Sequence, residues 1–125
     1  MKNYAIKEHH LYNKAFGRGT RFVGKLIAVY VLRDYAAKRL MLQNPEKKYF
    51  NRVGLSVSKK IGGAVGRNRA KRLLREAYFA VNTTEPLKTG FLVVLVAREE
   101  IKGKKMGDVE KELRRAMKHL DMIAK

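Results

Sequence analysis

The sequence predicts a single α+β domain spanning residues 1–125, with helices packed on a small central sheet as an αβ sandwich. Three observations carry that prediction. Two seven-residue apolar runs, Leu26–Leu32 and Phe91–Ala97, have the length and composition of buried strands. The segment 52–59 alternates, with Val53, Leu55 and Val57 on one side and Gly54, Ser56 and Ser58 on the other. The C-terminal segment carries Met106, Val109, Leu113, Met117, Leu120 and Ile123 at three- and four-residue intervals, the stripe of a helix that buries one side.

Taken in order, the chain opens with a helix expected over 6–16. Leu11, Tyr12, Ala15 and Phe16 share one side of it, and Gly17 and Gly19 stop it. A strand over 25–33 follows, buried on both faces. Residues 34–50 read as a short helix over 35–42 and a polar turn at Asn44-Pro45-Glu46. The alternating strand 52–59 comes next. A helix over 64–81 then starts after Gly62-Gly63, a strand over 91–98 opens after Thr89-Gly90, and the last helix covers 105–123. The order is α-β-β-α-β-α, with room for one more short edge strand. The sheet is expected to be mostly antiparallel, with one β-α-β connection through the helix 64–81.

Charge narrows the function. The chain holds 29 Lys and Arg against 11 Asp and Glu, a formal net charge of +18 and a pI near 10.4. Its 46% apolar content supports a core. Self-repulsion on that scale destabilises a compact fold, so the surplus points to a polyanionic partner: nucleic acid or an anionic membrane surface. The apolar runs are far short of the roughly 20 residues needed to span a bilayer. Met1–His10 is charged and lacks the apolar stretch and cleavage site of a signal peptide. With no cysteine there is no disulfide and no thiolate metal site. These features suit a cytoplasmic protein with no membrane partner.

The segment 59–76 is the most informative. At about 100° per residue, Gly66, Ala70, Leu73, Leu74, Ala77, Tyr78 and Val81 fall on one arc and bury against the sheet. Asn68, Arg69, Lys71, Arg72 and Arg75 fill the opposite arc, with Arg67 at its margin. Like charges on neighbouring turns repel, each pair costing about 0.2–0.5 kcal/mol. Glu76 alone does not offset them, and phosphates held by Arg forks would. A solvated basic face is the competing reading, and the face alone does not separate RNA from DNA.

The pattern Gly-x-Ala-Val-x-Arg-Asn-Arg-x-Lys-Arg-x-x-Arg-Glu, preceded by the strand Arg-Val-Gly-Leu-Ser-Val-Ser-Lys-Lys, resembles the signature of the bacterial ribonuclease P protein subunit. It covers residues 52–76 almost continuously, and the remaining elements agree in order and spacing. Departures are few. Gly63 stands where the family often has Asn, Tyr12 where Phe is usual, and 34–50 is longer than typical.

The resemblance implies a non-catalytic partner of a ribozyme that removes the 5′ leader of precursor tRNA. It implies that the catalytic RNA is bound by Lys59, Lys60, Arg67, Asn68, Arg69, Lys71, Arg72 and Arg75. It implies a cleft for the leader drawing on Tyr12, Phe16, Tyr30, Ser56 and Ser58. It further implies a left-handed β-α-β crossover against the general right-handed rule. No catalytic residue, no bound metal and no obligate protein partner are expected of the protein itself, and Mg²⁺ is expected to serve the RNA-containing holoenzyme.

Each site residue also has a plainer reading. Tyr12, Phe16 and Tyr30 fit core packing as well as an open cleft that stacks bases. The Gly54/Ser56/Ser58 face would admit a helix as readily as an RNA backbone. Lys59 and Lys60 leave the strand where the basic region begins, and solubilise the chain if no RNA is bound there. Arg18 and Arg21 flank a Gly19-Thr20 loop and reach either the leader or water. Adjacent His9 and His10 point about 100° apart without further ligands, a surface pair and not a metal site. Glu99-Glu100 reads as solvated. A general RNA-binding module, such as a ribosomal protein or RNA chaperone, and a protein-only nuclease are the alternatives from other classes. The first has no reason to combine the Arg-Asn-Arg helix with the aromatic first helix, and the second lacks suitably placed acids.

Overall fold

In a computed structural model, residues 4–6, 9–34 and 51–124 are described; the helix expected over 35–42 and the turn at 44–46 lie outside them. The elements are β1 (Tyr4–Ala5), α1 (His9–Arg18), β2 (Thr20–Val23), β3 (Ile27–Arg33), β4 (Arg52–Ser56), α2 (Ala64–Thr84), β5 (Phe91–Ala97) and α3 (Met106–His119). Single 3₁₀ turns at Lys59–Ile61 and Glu99–Ile101 precede α2 and α3.

One sheet runs β1-β4-β5-β3-β2. Its longest ladder is antiparallel, seven residue pairs of β3 with β5, and β2 adds four more antiparallel pairs on β3. β4 runs parallel to β5, and β1 parallel to β4. The parallel β4–β5 pair joined through α2 is the expected β-α-β unit. β1 and β2 are two edge strands where the sequence left room for one.

The sheet is covered on both faces, which makes the sandwich. Val29, Val31, Val93 and Leu95 pack with Leu74, Tyr78 and Val81 of α2 and Leu113 and Met117 of α3. On the other face Ala15 of α1 and Ile6 meet Leu92 and Val94, with Leu11, Tyr12 and Tyr30 packed alongside. Truncating a buried Leu such as Leu74 to Ala costs about 2–5 kcal/mol, so the inner side of α2 is committed to the core.

α1 runs past Gly17 to Arg18 and starts at His9, and α2 continues to Thr84; three further boundaries differ from expectation for identifiable reasons. β3 starts at Ile27 and not at 25, because the N–H groups of Lys25, Leu26 and Ile27 donate to the Glu112 carboxylate at 3.0, 2.7 and 2.7 Å. β4 ends at Ser56 and not at 59, because residues 59–61 wind into a 3₁₀ turn. α3 ends at His119 and not at 123. Asp121 takes a left-handed φ of 57°, Met122 folds back into the core, and Ile123 bridges Leu87.

Buried polar groups lock the frame. Arg52 forms a bidentate pair with Asp34, at 2.7 and 2.9 Å, both side chains buried. Asn51 donates to the Tyr78 hydroxyl and the Lys88 carbonyl and accepts from Phe91 N–H, tying β4, α2 and β5 together.

Candidate nucleic-acid interface

α2 is built as its face analysis requires. Ala70, Leu73, Leu74, Ala77, Tyr78 and Val81 are buried; Gly66 is half-buried. Asn68, Arg69, Arg72 and Arg75 are exposed, and Arg67 and Lys71 are half-exposed on the flank. Helical geometry sets Arg67, Lys71 and Arg75 in one i, i+4 row and Asn68 and Arg72 in the next. A shallow depression on this outer surface is lined by Val65, Asn68, Arg69, Arg72, Arg75 and Glu76. Glu76 reaches Arg72 at 4.0 Å, both ends well exposed, a pair of small energetic weight. Gly63, at the helix N-cap, offers no side-chain cap.

Two features of this face escaped the sequence reading. Arg69 turns toward the loop before α3 and donates to the Lys104 carbonyl at 2.7 Å. Val65 and Phe79, 86% and 56% exposed, stand on the outer surface among the cations. An apolar residue at a helical position gives no sign of exposure unless the buried arc is already full. Here the residues at 70, 73, 74, 77, 78 and 81 fill it.

Lys59 and Lys60 are exposed in the 3₁₀ turn leading into α2, which extends the basic surface past the helix start.

The opposite face of the sheet holds the aromatic site. Register places Gly54 beside Val94, Val94 beside Tyr30, and Tyr30 beside Arg21, one row across four strands. Tyr12 descends from α1 onto Gly54, where a Cβ would stand 2.6 Å from the ring. Phe16 meets Tyr30 edge to face, centroids 4.9 Å apart at 85°. The three aromatics are therefore gathered, and each is only partly buried. Ser56 lies in the next row, beside Val96. Ser58 lies past the end of β4, exposed, as the extended N-cap of the following turn. Arg21 sits in β2 and not in a loop, exposed beside Tyr30.

Among the described residues no group of three or more His, Cys, Asp or Glu is placed to hold a metal, and no helix is long and apolar enough to cross a membrane. His9, His10, Glu99 and Glu100 are exposed.

The sequence profile of the family described as Ribonuclease P matches residues 1–121. A ribonuclease P protein component of Clostridioides difficile is 32% identical over 117 residues, covering 94% of this chain and 91% of the relative. One from Geobacillus kaustophilus is 34% identical over 112 residues, covering 90% and 82%. In fold, the chain is similar to the RNase P protein of Staphylococcus aureus (TM-score 0.73, 24% identity, 98% and 100% covered). It is also similar to that of Thermotoga maritima (TM-score 0.68, 20% identity, 90% and 97% covered). The basic helix, its preceding strand and the full-length match agree: the chain belongs to the ribonuclease P protein family.

Proposed function

We propose that this chain grips the RNA of ribonuclease P with the outer face of α2 and holds the 5′ leader of precursor tRNA against the Tyr12–Phe16–Tyr30 face. The family fixes the coarser function, a protein component of the tRNA 5′-processing ribonucleoprotein that works with ribonuclease P RNA. The observation that carries the finer reading is the division of labour between faces. α2 and α3 cover one side of the sheet and α1 the other, so the cationic helix and the aromatic cluster are separated by the sheet itself.

The chemistry of each face suits its ligand. Arg67, Asn68, Lys71, Arg72 and Arg75 present charged forks and amide groups from a rigid helix to phosphate oxygens, with Lys59 and Lys60 continuing the field. Neutralising phosphates there releases counterions and lowers the repulsion between RNA segments. Across the sheet, half-exposed rings accept unpaired bases by stacking, without reading sequence. Ser56 supplies a hydroxyl beside them, and Arg21, in register with Tyr30, supplies charge for the leader phosphates.

Under this reading the RNA carries the catalytic step, and Mg²⁺ bound to RNA acts as Lewis acid and water activator. The protein's own residues position the two RNAs. The test is cleavage of precursor tRNA at low Mg²⁺ by protein alone, ribonuclease P RNA alone and the mixture. Strong activity in the mixture alone is expected. Cleavage by the protein alone would replace this reading with a protein nuclease, and no gain on mixing would reduce it to general RNA binding.

A further inference from the structure

A second cluster of cations stands beside α2 and was not part of the sequence motif. Lys102, Lys104 and Lys105 are exposed in the loop between the Glu99–Ile101 turn and α3. Gly103, at φ 73°, gives the loop its bend, and Lys104 N–H returns to the Ile101 carbonyl at 3.1 Å. Arg69 of α2 crosses to this loop and donates to the Lys104 carbonyl. Beneath the crossing, Ile61 and Ile101 are both buried in the same core cluster, so the turns that lead into α2 and α3 are packed together. A depression lined by Ile61, Gly66, Arg69, Ala70, Lys102 and Gly103, among others, separates helix from loop.

The placement is electrostatically unfavourable for the protein alone. Lys102, Lys104 and Lys105 immediately precede the positive end of α3, where a cation is disfavoured by about 0.3–1 kcal/mol. Asp108, in the first turn of α3, accepts from Lys105 N–H at 3.0 Å and offsets one of these charges. Glu99 and Glu100 lie in the preceding turn, and Lys59, Lys60 and Arg69 outweigh them. This is the imbalance that marks α2 itself, repeated on an adjacent element.

We propose that the Lys102–Lys105 loop, held against α2 by the Arg69–Lys104 hydrogen bond, is a second wall of the RNA interface that takes a phosphodiester strand of the RNA bound by α2. The inference rests on the proposed RNA-gripping role of α2. Arg69 is then a positioning residue more than a phosphate anchor. Because α1 and the aromatic cluster occupy the other face of the sheet, the loop shares its ligand with α2 and not with the leader.

The experiment uses the full chain and ribonuclease P RNA, with affinity measured over a range of salt concentrations. Lys102→Ala/Lys104→Ala/Lys105→Ala is expected to bind roughly tenfold more weakly at moderate salt, with the log–log salt slope shallower by about 2 and the melting temperature unchanged. Arg69→Ala is expected to weaken binding in the natural chain but to add little on the triple-lysine background. A triple variant with natural affinity and slope, while Arg72→Ala/Arg75→Ala is weakened, overturns the second wall and leaves the α2 reading intact. If neither set changes binding, the α2 reading falls as well. A triple variant that loses precursor tRNA binding while keeping ribonuclease P RNA assigns the loop to the substrate, and also overturns the proposal.

Discussion

The ring of Tyr12 rests directly on Gly54: a Cβ at Gly54 would lie 2.6 Å from Cε1 and 2.7 Å from Cζ and the hydroxyl oxygen. The bare stretch of β4 is therefore what lets α1 approach the sheet, and it sets how far Tyr12 stands from Phe16 and Tyr30.

Gly54→Ala should push Tyr12 outward without unfolding the chain, at about 1–3 kcal/mol for the overpacked contact. Holoenzyme assembled with this variant is expected to lose affinity for precursor tRNA while its affinity for mature, leaderless tRNA stays unchanged. Equal losses for both substrates would remove Tyr12 from the leader site.

Phe16 is 38% exposed and held edge-on by Tyr30, so it presents ring surface at small structural cost. Phe16→Leu keeps apolar packing and removes the stacking platform. A loss of about 1–3 kcal/mol in the preference for precursor over mature tRNA is expected, about 5- to 150-fold. An unchanged preference, measured by equilibrium binding to the holoenzyme, contradicts the stacking role.

Glu112 is a structural carboxylate. It is buried, takes three consecutive N–H groups of residues 25–27, and stands so close to Gly24 that a Cβ there would meet it at 2.6 Å. Glu112→Ala leaves those donors without an acceptor, and urea denaturation should show a loss of about 3 kcal/mol or more. A loss below about 1 kcal/mol would mean that the turn between β2 and β3 holds itself.

Burial pushes the Tyr78 hydroxyl up to about 12 from an ordinary 10.0, with the Asn51 hydrogen bond working in the other direction. The folded state thus keeps the proton that the unfolded chain releases, and this contribution to stability is lost as pH rises from 10 toward 12. Tyr78→Phe should flatten that alkaline decline in a series of denaturation curves. If the decline is identical in both proteins, burial of the Tyr78 hydroxyl does not govern it.

The architecture was legible where periodicity is strong. The buried arc of α2, from Ala70 to Val81, and the apolar runs of β3 and β5 could be assigned because their neighbours leave no other side to bury. Edge strands were harder. β2 is four residues with three exposed, and its Arg21 looks like loop sequence because an edge strand needs little burial. β1 is only two residues long. The roles of Glu112 and Asn51 depend on backbone groups 37 or more residues away, which no local pattern encodes. For the site, the cationic arc was readable from helical spacing. The turn of Arg69 toward Lys104 was not, since it depends on where the loop before α3 comes to rest.

The most direct test of the central claim is the affinity of ribonuclease P RNA for the natural chain and for Arg67→Ala/Arg72→Ala/Arg75→Ala, each followed from about 50 to 200 mM salt. Natural protein is expected to show a steep fall in affinity with salt. The triple variant, with an unchanged melting temperature, is expected to bind more weakly with a slope shallower by about 2 to 3. A folded variant that matches the natural protein in both affinity and slope would contradict the phosphate-gripping role of α2.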